Sequence, residues 1–310
     1  GPFVPNDWAK IILSPVVWAR FPHMLLASYL TGAVCVAATG AWYLLREIFT
    51  AEARVMLRMG LYFAAVLLPA QLVFGHLNGE YIVHHQPSKM AAIEARWHDQ
   101  KPASEVLLAW PDVAHHRNLF AITLPAPLGS LIDSDSLSAG EVGLESISPQ
   151  NWPPVAIPFF SFRIMVGCWA IMLLVAWIAS YLIHKERIEQ YRPLLWVTFL
   201  SFPLPFIAIL TGWVTAEVGR QPWVVYGVLH TADAMTPFLT ARSALVSLVV
   251  YCVVYSFIFV FGTYYIYRLL REGPGGRLVL PPAAAVPNRP MSVAHGHRLT
   301  PPVHHIAAGE

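Results

Sequence analysis

Charge is what this sequence has least of. Asp, Glu, Lys and Arg make up only 12% of its 310 residues, about half the share of an ordinary soluble domain. That scarcity argues against a soluble domain and for a membrane protein. Neither sign is in large excess: the formal net charge is +2, too little for the basic footprint of a nucleic-acid binder. Cysteine is nearly lacking too. Cys35, Cys168 and Cys252 lie far apart in apolar runs and read as small buried hydrophobes, not as a disulfide framework or a metal site. The opening GPFVPNDW has neither a basic nor an apolar leader region, so it does not read as a signal peptide. The chain begins at Gly1 instead of Met, and a processed product or a fragment is one expectation.

Hydrophobicity is plentiful, at 56% of residues with a mean hydropathy of +0.53. A helix that crosses a bilayer needs about 20 mostly apolar residues, and five stretches qualify: roughly 20–45, 55–76, 156–183, 194–218 and 241–269. The fold class expected is all-α, an integral membrane bundle of five transmembrane helices. It divides into two helices (1–76), a long polar external loop (77–155), three helices (156–271) and a Pro- and Gly-rich disordered tail (272–310). Short loops rich in Lys and Arg mark the cytoplasmic side. Arg46, Arg54 and Arg58, then Lys185, Arg187 and Arg192, then Arg268, Arg271 and Arg277 all fall on one side of a five-span chain. Gly1, the 77–155 loop and the 219–240 loop fall on the other.

That topology brings three polar residues to one depth. His23 is just inside the first span, Met165 less than halfway into the third, and Glu217 near the outward end of the fourth. At about 1.5 Å per residue, all sit in the outer half of the membrane. Each has a plain alternative reading: an interfacial histidine, a packing methionine, a carboxylate paired with Arg220 on the same helix face, with Arg163 snorkelling to the surface. Trp213, Glu217 and Arg220 fall at i, i+4 and i+7, one stripe of a helix. Ionisable groups inside a membrane are by default functional. Haem is the chemistry that suits this set. An imidazole and a thioether from two helices can fill both axial positions of a six-coordinate iron, and a carboxylate can hold a five-coordinate one. Arginines such as Arg163 and Arg220 can neutralise propionate or carboxylate charge.

Four segments carry a resemblance: RFPHMLLASYLTGA (20–33), KMAAIEARW (89–97), FRIMVG (162–167) and GWVTAEVGRQPW (212–223). In this order they resemble subunit I of the cytochrome bd quinol oxidases, on the short-loop branch that includes the cyanide-insensitive enzymes. The resemblance covers about residues 1–272. It implies His23 and Met165 as ligands of a low-spin haem b, Glu217 as ligand of a high-spin haem b, and Arg163, Trp213 and Arg220 as cofactor-binding companions. It also implies Lys89 and Glu94 as the quinol site of the external loop. A haem d, or a third haem b, would be shared with an N-terminal half of the subunit that this sequence lacks, since family members have about nine spans. The implied partners are subunit II, a small single-span subunit, that N-terminal half and the lipid bilayer, with no nucleic acid. The implied setting is the inner membrane of a prokaryote, with the loop outside and the tail in the cytoplasm. The implied activity is non-pumping, electrogenic quinol oxidation with reduction of oxygen to water. A b-type cytochrome that carries electrons without oxygen reduction is the alternative, and a transporter built on buried charges is a third class. The double histidines His84–His85 and His115–His116 read as proton-release groups or as solvated loop residues. The tail's His295, His297, His304 and His305 read at most as a weak metal site.

Overall fold

The computed structural model of the chain describes residues 6–100, 104–124, 142–236 and 239–274. The expected disordered tail, with its four histidines and Arg277, lies outside the described residues from 275 onward. Among the described residues, five helical stretches are long and apolar enough to cross a membrane. They are α2 (Pro15–Arg46), α3 (Thr50–His85), α5 (Ala156–His184), the pair α6 (Arg192–Leu200) and α7 (Leu204–Gly219), and α8 (Ala241–Glu272). A short α1 (Trp8–Ile12), capped by Asp7, precedes them. The all-α membrane bundle expected from hydropathy is the architecture observed.

Three details differ from the expectation. First, α3 runs on past 76 to His85. Its 36 residues make a rod of about 54 Å, longer than the hydrocarbon layer, so His84 and His85 ride on a helix end and not in a loop. Second, the fourth span is interrupted between Leu200 and Leu204. Pro203 and Pro205 lack the backbone N–H groups that would continue the ladder there. Third, the polar segment is folded. It holds α4 (Pro87–Glu94) and an antiparallel hairpin, β1 (Glu105–Asp112) with β2 (Arg117–Leu124), whose register shifts near Leu107 and Ala109. A second small hairpin, β3 (Trp223–Val225) with β4 (Leu229–His230), follows α7.

The core lies where α2 and α3 meet and continues onto α5 and α6. Glycine sets how closely the first pair approach. A Cβ on Gly60 would stand 2.5 Å from the Ala33 carbonyl oxygen, and one on Gly40 would stand 2.8 Å from that of Ala53. Small-residue contacts of this kind let apolar helices pack where no hydrophobic force separates protein from lipid. Trp169 and Trp177 of α5 donate their indole N–H groups to the α3 carbonyls of Leu68 (2.9 Å) and Ala65 (3.1 Å). At the end away from the loop, Arg54 grips Glu189 through Nε (2.5 Å) and Nη2 (3.0 Å). In α8 no residue is buried; its Leu270 carbonyl accepts a 2.6 Å hydrogen bond from Tyr43.

Gly60→Ala is expected to cost about 1–3 kcal/mol, because the new methyl meets backbone that cannot yield. Gly32, with no atom within 4 Å of a built Cβ, is the control: Gly32→Ala is expected to be neutral, or to stabilise by about 0.5–1 kcal/mol through helix propensity. Thermal unfolding of the two variants in detergent checks this, and equal Tm values would refute the close contact.

Candidate functional site

His23 sits in the third turn of α2, directly after Pro22. Its ring faces α3. The Gln71 amide nitrogen lies 3.3 Å from both ring nitrogens. A Cβ on Gly75 would be only 3.3 Å from the ring carbon Cε1, so bare backbone lets the imidazole lie close. Gln71, Gly75 and Asn78 form one stripe of α3, at i, i+4 and i+7. Gln71 Oε1 and Asn78 Oδ1 are both buried without a hydrogen-bond partner. Two orphaned acceptors on the stripe that faces the imidazole at Gln71 mark polar space that asks for a further group.

Met165 reaches the same level by way of α3. Trp169 is hydrogen-bonded to Leu68, and α3 and α5 run antiparallel. One turn back along α5 is Met165, and nearly one turn on along α3 is Gln71, the residue holding His23. The Met165 thioether lies against α7, where a Cβ on Gly212 would be 2.8 Å from its sulfur. A glycine thus stands at each donor: Gly75 at the imidazole and Gly212 at the sulfur. Imidazole and thioether on two helices at one level are a donor set that fits an iron porphyrin with both axial positions filled. Among the described residues, no three His, Cys, Asp or Glu side chains come together as a ligand cluster.

Glu217 lies five residues beyond Gly212 on α7, about 7.5 Å further toward the loop, and on another face of the helix. Gly212, Thr215 and Gly219 make up the face of α7 turned toward α4 and α5, with Thr215 and Gly219 buried. Glu217 lies about 140° around the helix from Gly212. Its carboxylate pairs with Arg220 at 2.7 Å, both side chains near 40% exposed. Trp213, the third member of the stripe, is 63% exposed. The structure therefore sets Glu217 on the open face of α7, away from the face that meets Met165.

The two expected quinol residues also part company. Pro87 opens α4 at its first turn, and Lys89 and Glu94, five residues apart, point about 140° from each other. Lys89 is buried, its stem over Gly219 and its ammonium donating to the Ala216 carbonyl at 3.2 Å. There it meets the carbonyl end of α7, where a cation is favoured. Burial pushes its pKa down to about 8; the Arg20 cation and, less strongly, Arg220 push the same way, against the pull of Glu217. Glu94 is buried too and ion-paired with Arg96.

Arg163 has a different surrounding from the other cations. Its guanidinium donates to the carbonyls of Phe159, Ile93, Val106 and Leu107. The sequence reading missed these acceptors, and it missed Gln71, Gly75, Gly212 and Arg96. Only Gln71, a polar residue inside an apolar run, gave any signal. The double histidines have partners close by: His85 stacks on Tyr81 and bonds its carbonyl, His115 bonds Asp112, and His116 bonds Glu145 while stacking on Trp97. Glu145 also holds His98, and these two histidines, the His116 hydrogen bond foremost, depress its carboxyl below the usual value.

Known proteins resemble this chain in sequence and in fold. The chain is 29% identical over 277 residues to the cytochrome bd ubiquinol oxidase subunit 1 of Bacillus subtilis (strain 168), covering 86% of this chain and 58% of that protein. It is 29% identical over 338 residues to the cytochrome bd-II ubiquinol oxidase subunit 1 of Escherichia coli (strain K12), covering 87% and 65%. A chain in the structure of the bd oxidase from Geobacillus thermodenitrificans superposes with a TM-score of 0.78 at 26% identity, over 88% of this chain and 62% of that one. The chain thus spans less than two thirds of each of these relatives. The sequence profile of cytochrome bd terminal oxidase subunit I matches residues 1–274, which takes in every described residue, and the chain belongs to that family.

Proposed function

We propose that this chain is the haem b-bearing part of a membrane quinol oxidase. One observation carries the reading: the His23 imidazole and the Met165 thioether lie at one level on separate helices, each against a glycine. His23 and Met165 would hold a low-spin haem b, and Glu217 a high-spin haem b, with Arg220 balancing the carboxylate and Trp213 beside it. When bound, these haems supply one-electron transfer from quinol toward a haem d, or a third haem b, shared with an N-terminal half of the subunit.

The chain's own residues do the proton and positioning work. A quinol surrenders two protons as it is oxidised. Glu94, presented as a carboxylate by its ion pair with Arg96, accepts a proton at an oxygen, which is general-base work. The proton then passes on, and Glu94 acts as a relay. Lys89 stabilises the developing quinol anion by its charge. Protons leave on the loop side and are consumed from the tail side, so the sidedness of the chemistry builds a gradient without a pump. In this reading the loop faces outward from a prokaryotic inner membrane, the tail faces the cytoplasm, and the partners are subunit II and a small single-span subunit. An absorption spectrum of the purified complex tests the function. Haem b with haem d, or a third haem b that binds oxygen, supports the oxidase. Haem b alone means a cytochrome that carries electrons without oxygen reduction. No haem rejects both.

Met165→Leu keeps the volume and removes the donor, so the low-spin haem b signal is expected to disappear while the complex still assembles. A retained signal rules out Met165 as a ligand. The lysine pKa near 8 sets a pH dependence with a definite sign. Below that pH Lys89 is charged, and above it the charge is lost. The quinol KM is therefore expected to rise between pH 7 and 9, by about tenfold per unit at most, and to stay flat over that range in Lys89→Gln. A parallel rise in both proteins would remove Lys89 from the quinol site.

A further inference from the structure

Arg163 stands two residues before Met165, yet its guanidinium is turned away from the sulfur and into the loop. Nη1 donates to Ile93 O (2.8 Å) and Phe159 O (2.9 Å), Nε donates to Leu107 O (2.8 Å), and Nη2 donates to Val106 O. A guanidinium has five N–H groups in a rigid planar fork, and four carbonyls from three separate segments take up most of them. The Phe159 ring lies under the cation, 3.4 Å from the guanidinium carbon. The carboxylates of Glu94 and Glu105 act on its charge.

Three of the four carbonyls, those outside α5, are available for a stated reason. The last carbonyls of a helix have no partner within it. At the end of α4, the N–H groups of Ala95 and Arg96 satisfy Ala92 and Ala91, and Ile93 is left to Arg163. Successive carbonyls of a regular strand point to opposite edges, but the β1–β2 register shifts between Val106 and Leu108. A bulge there lets two consecutive carbonyls turn to one side, and both meet the same guanidinium. Arg163 thus fastens the end of α4, the start of β1 and the second turn of α5 together. Glu94, adjacent to Ile93, is carried with them.

We infer that Arg163 is a positioning residue for the quinol site, which seats the external loop and Glu94 on α5 by clamping four backbone carbonyls. This inference rests on the quinol-oxidase reading and goes beyond it, because it assigns the arginine to the loop where the family resemblance points to a haem companion. A lysine keeps the charge but carries three donors on a tetrahedral nitrogen, which cannot span four carbonyls in a plane.

The test compares Arg163→Lys, Glu94→Gln and the unaltered complex, each with its full complement of subunits. In Arg163→Lys, the quinol KM is expected to rise about tenfold or more, a loss of binding and not of chemistry. Oxygen consumption driven by ascorbate with a phenylenediamine mediator, and the amplitude of the haem b bands, are expected to stay unchanged. Hydrogen exchange is expected to speed up at the amides of 93–96 and 105–108. Glu94→Gln should impair quinol turnover without faster exchange there. Loss of haem b absorbance in Arg163→Lys with exchange unchanged would overturn the inference and make Arg163 a propionate partner; an unchanged KM with unchanged exchange would overturn it as well. If even the unaltered complex does not oxidise quinol, the functional reading fails, while the exchange comparison still judges the clamp. If Arg163→Lys does not assemble, the unaltered complex decides. Amides of 105–108 that exchange as slowly as those of the α5 interior support the clamp, and exchange as fast as in exposed β2 refutes it.

Discussion

The approach of α2 to α3 at Gly40 and Gly60 is the constraint from which the rest of the bundle is hung. Lipid offers no hydrophobic reward for bringing helices together, so close packing and internal hydrogen bonds must do it. With backbone against backbone at two points, α3 becomes a fixed rail. Two indole N–H groups attach α5 to it, at the carbonyls of Leu68 and Ala65. The bare backbone of Gly212 then lets α7 close on α5 across the Met165 sulfur. The relative level of the imidazole and the thioether is inherited from that chain of contacts. A shift of one turn anywhere along it would move one donor by about 5.4 Å relative to the other.

Charge is sorted by the same scaffold. Four of the cations at the loop end of the bundle each have a different acceptor. Arg220 takes a carboxylate, Lys89 the carbonyl end of α7, Arg96 a buried carboxylate, and Arg163 four carbonyls. Irregular backbone at the edge of a membrane is tolerated only where its polar groups are satisfied by protein. The guanidinium of Arg163 does this for a helix end and a bulged strand at once. It is why a polar loop can lie folded against an apolar helix instead of standing off in water.

Much of this was legible in the sequence, and the reasons are specific. The spans were readable because transfer of an apolar side chain into lipid is local and adds up along the chain. His23, Met165 and Glu217 could be placed at one depth because rise per residue and alternating direction suffice for depth. Rotation about the helix axis was not readable at that precision. The separation of Glu217 from Met165 depends on which face of α7 is covered, and nothing in GWVTAEVGRQPW says that Gly212 is met by a sulfur. The run of α3 to His85 was missed because a polar helical turn beyond the bilayer has no hydropathy signature.

The sequence by itself determined a five-span helical membrane protein and the residue types that suit iron porphyrin. It could do so because hydropathy and ligand chemistry belong to the residues themselves. Only the tertiary structure decided what Arg163 holds. Its acceptors are main-chain carbonyls, up to 70 positions away in the chain, and every residue carries the same carbonyl. No side-chain pattern can encode which of them will be left unpaired, because that is settled only when a helix ends and a strand bulges in the same place.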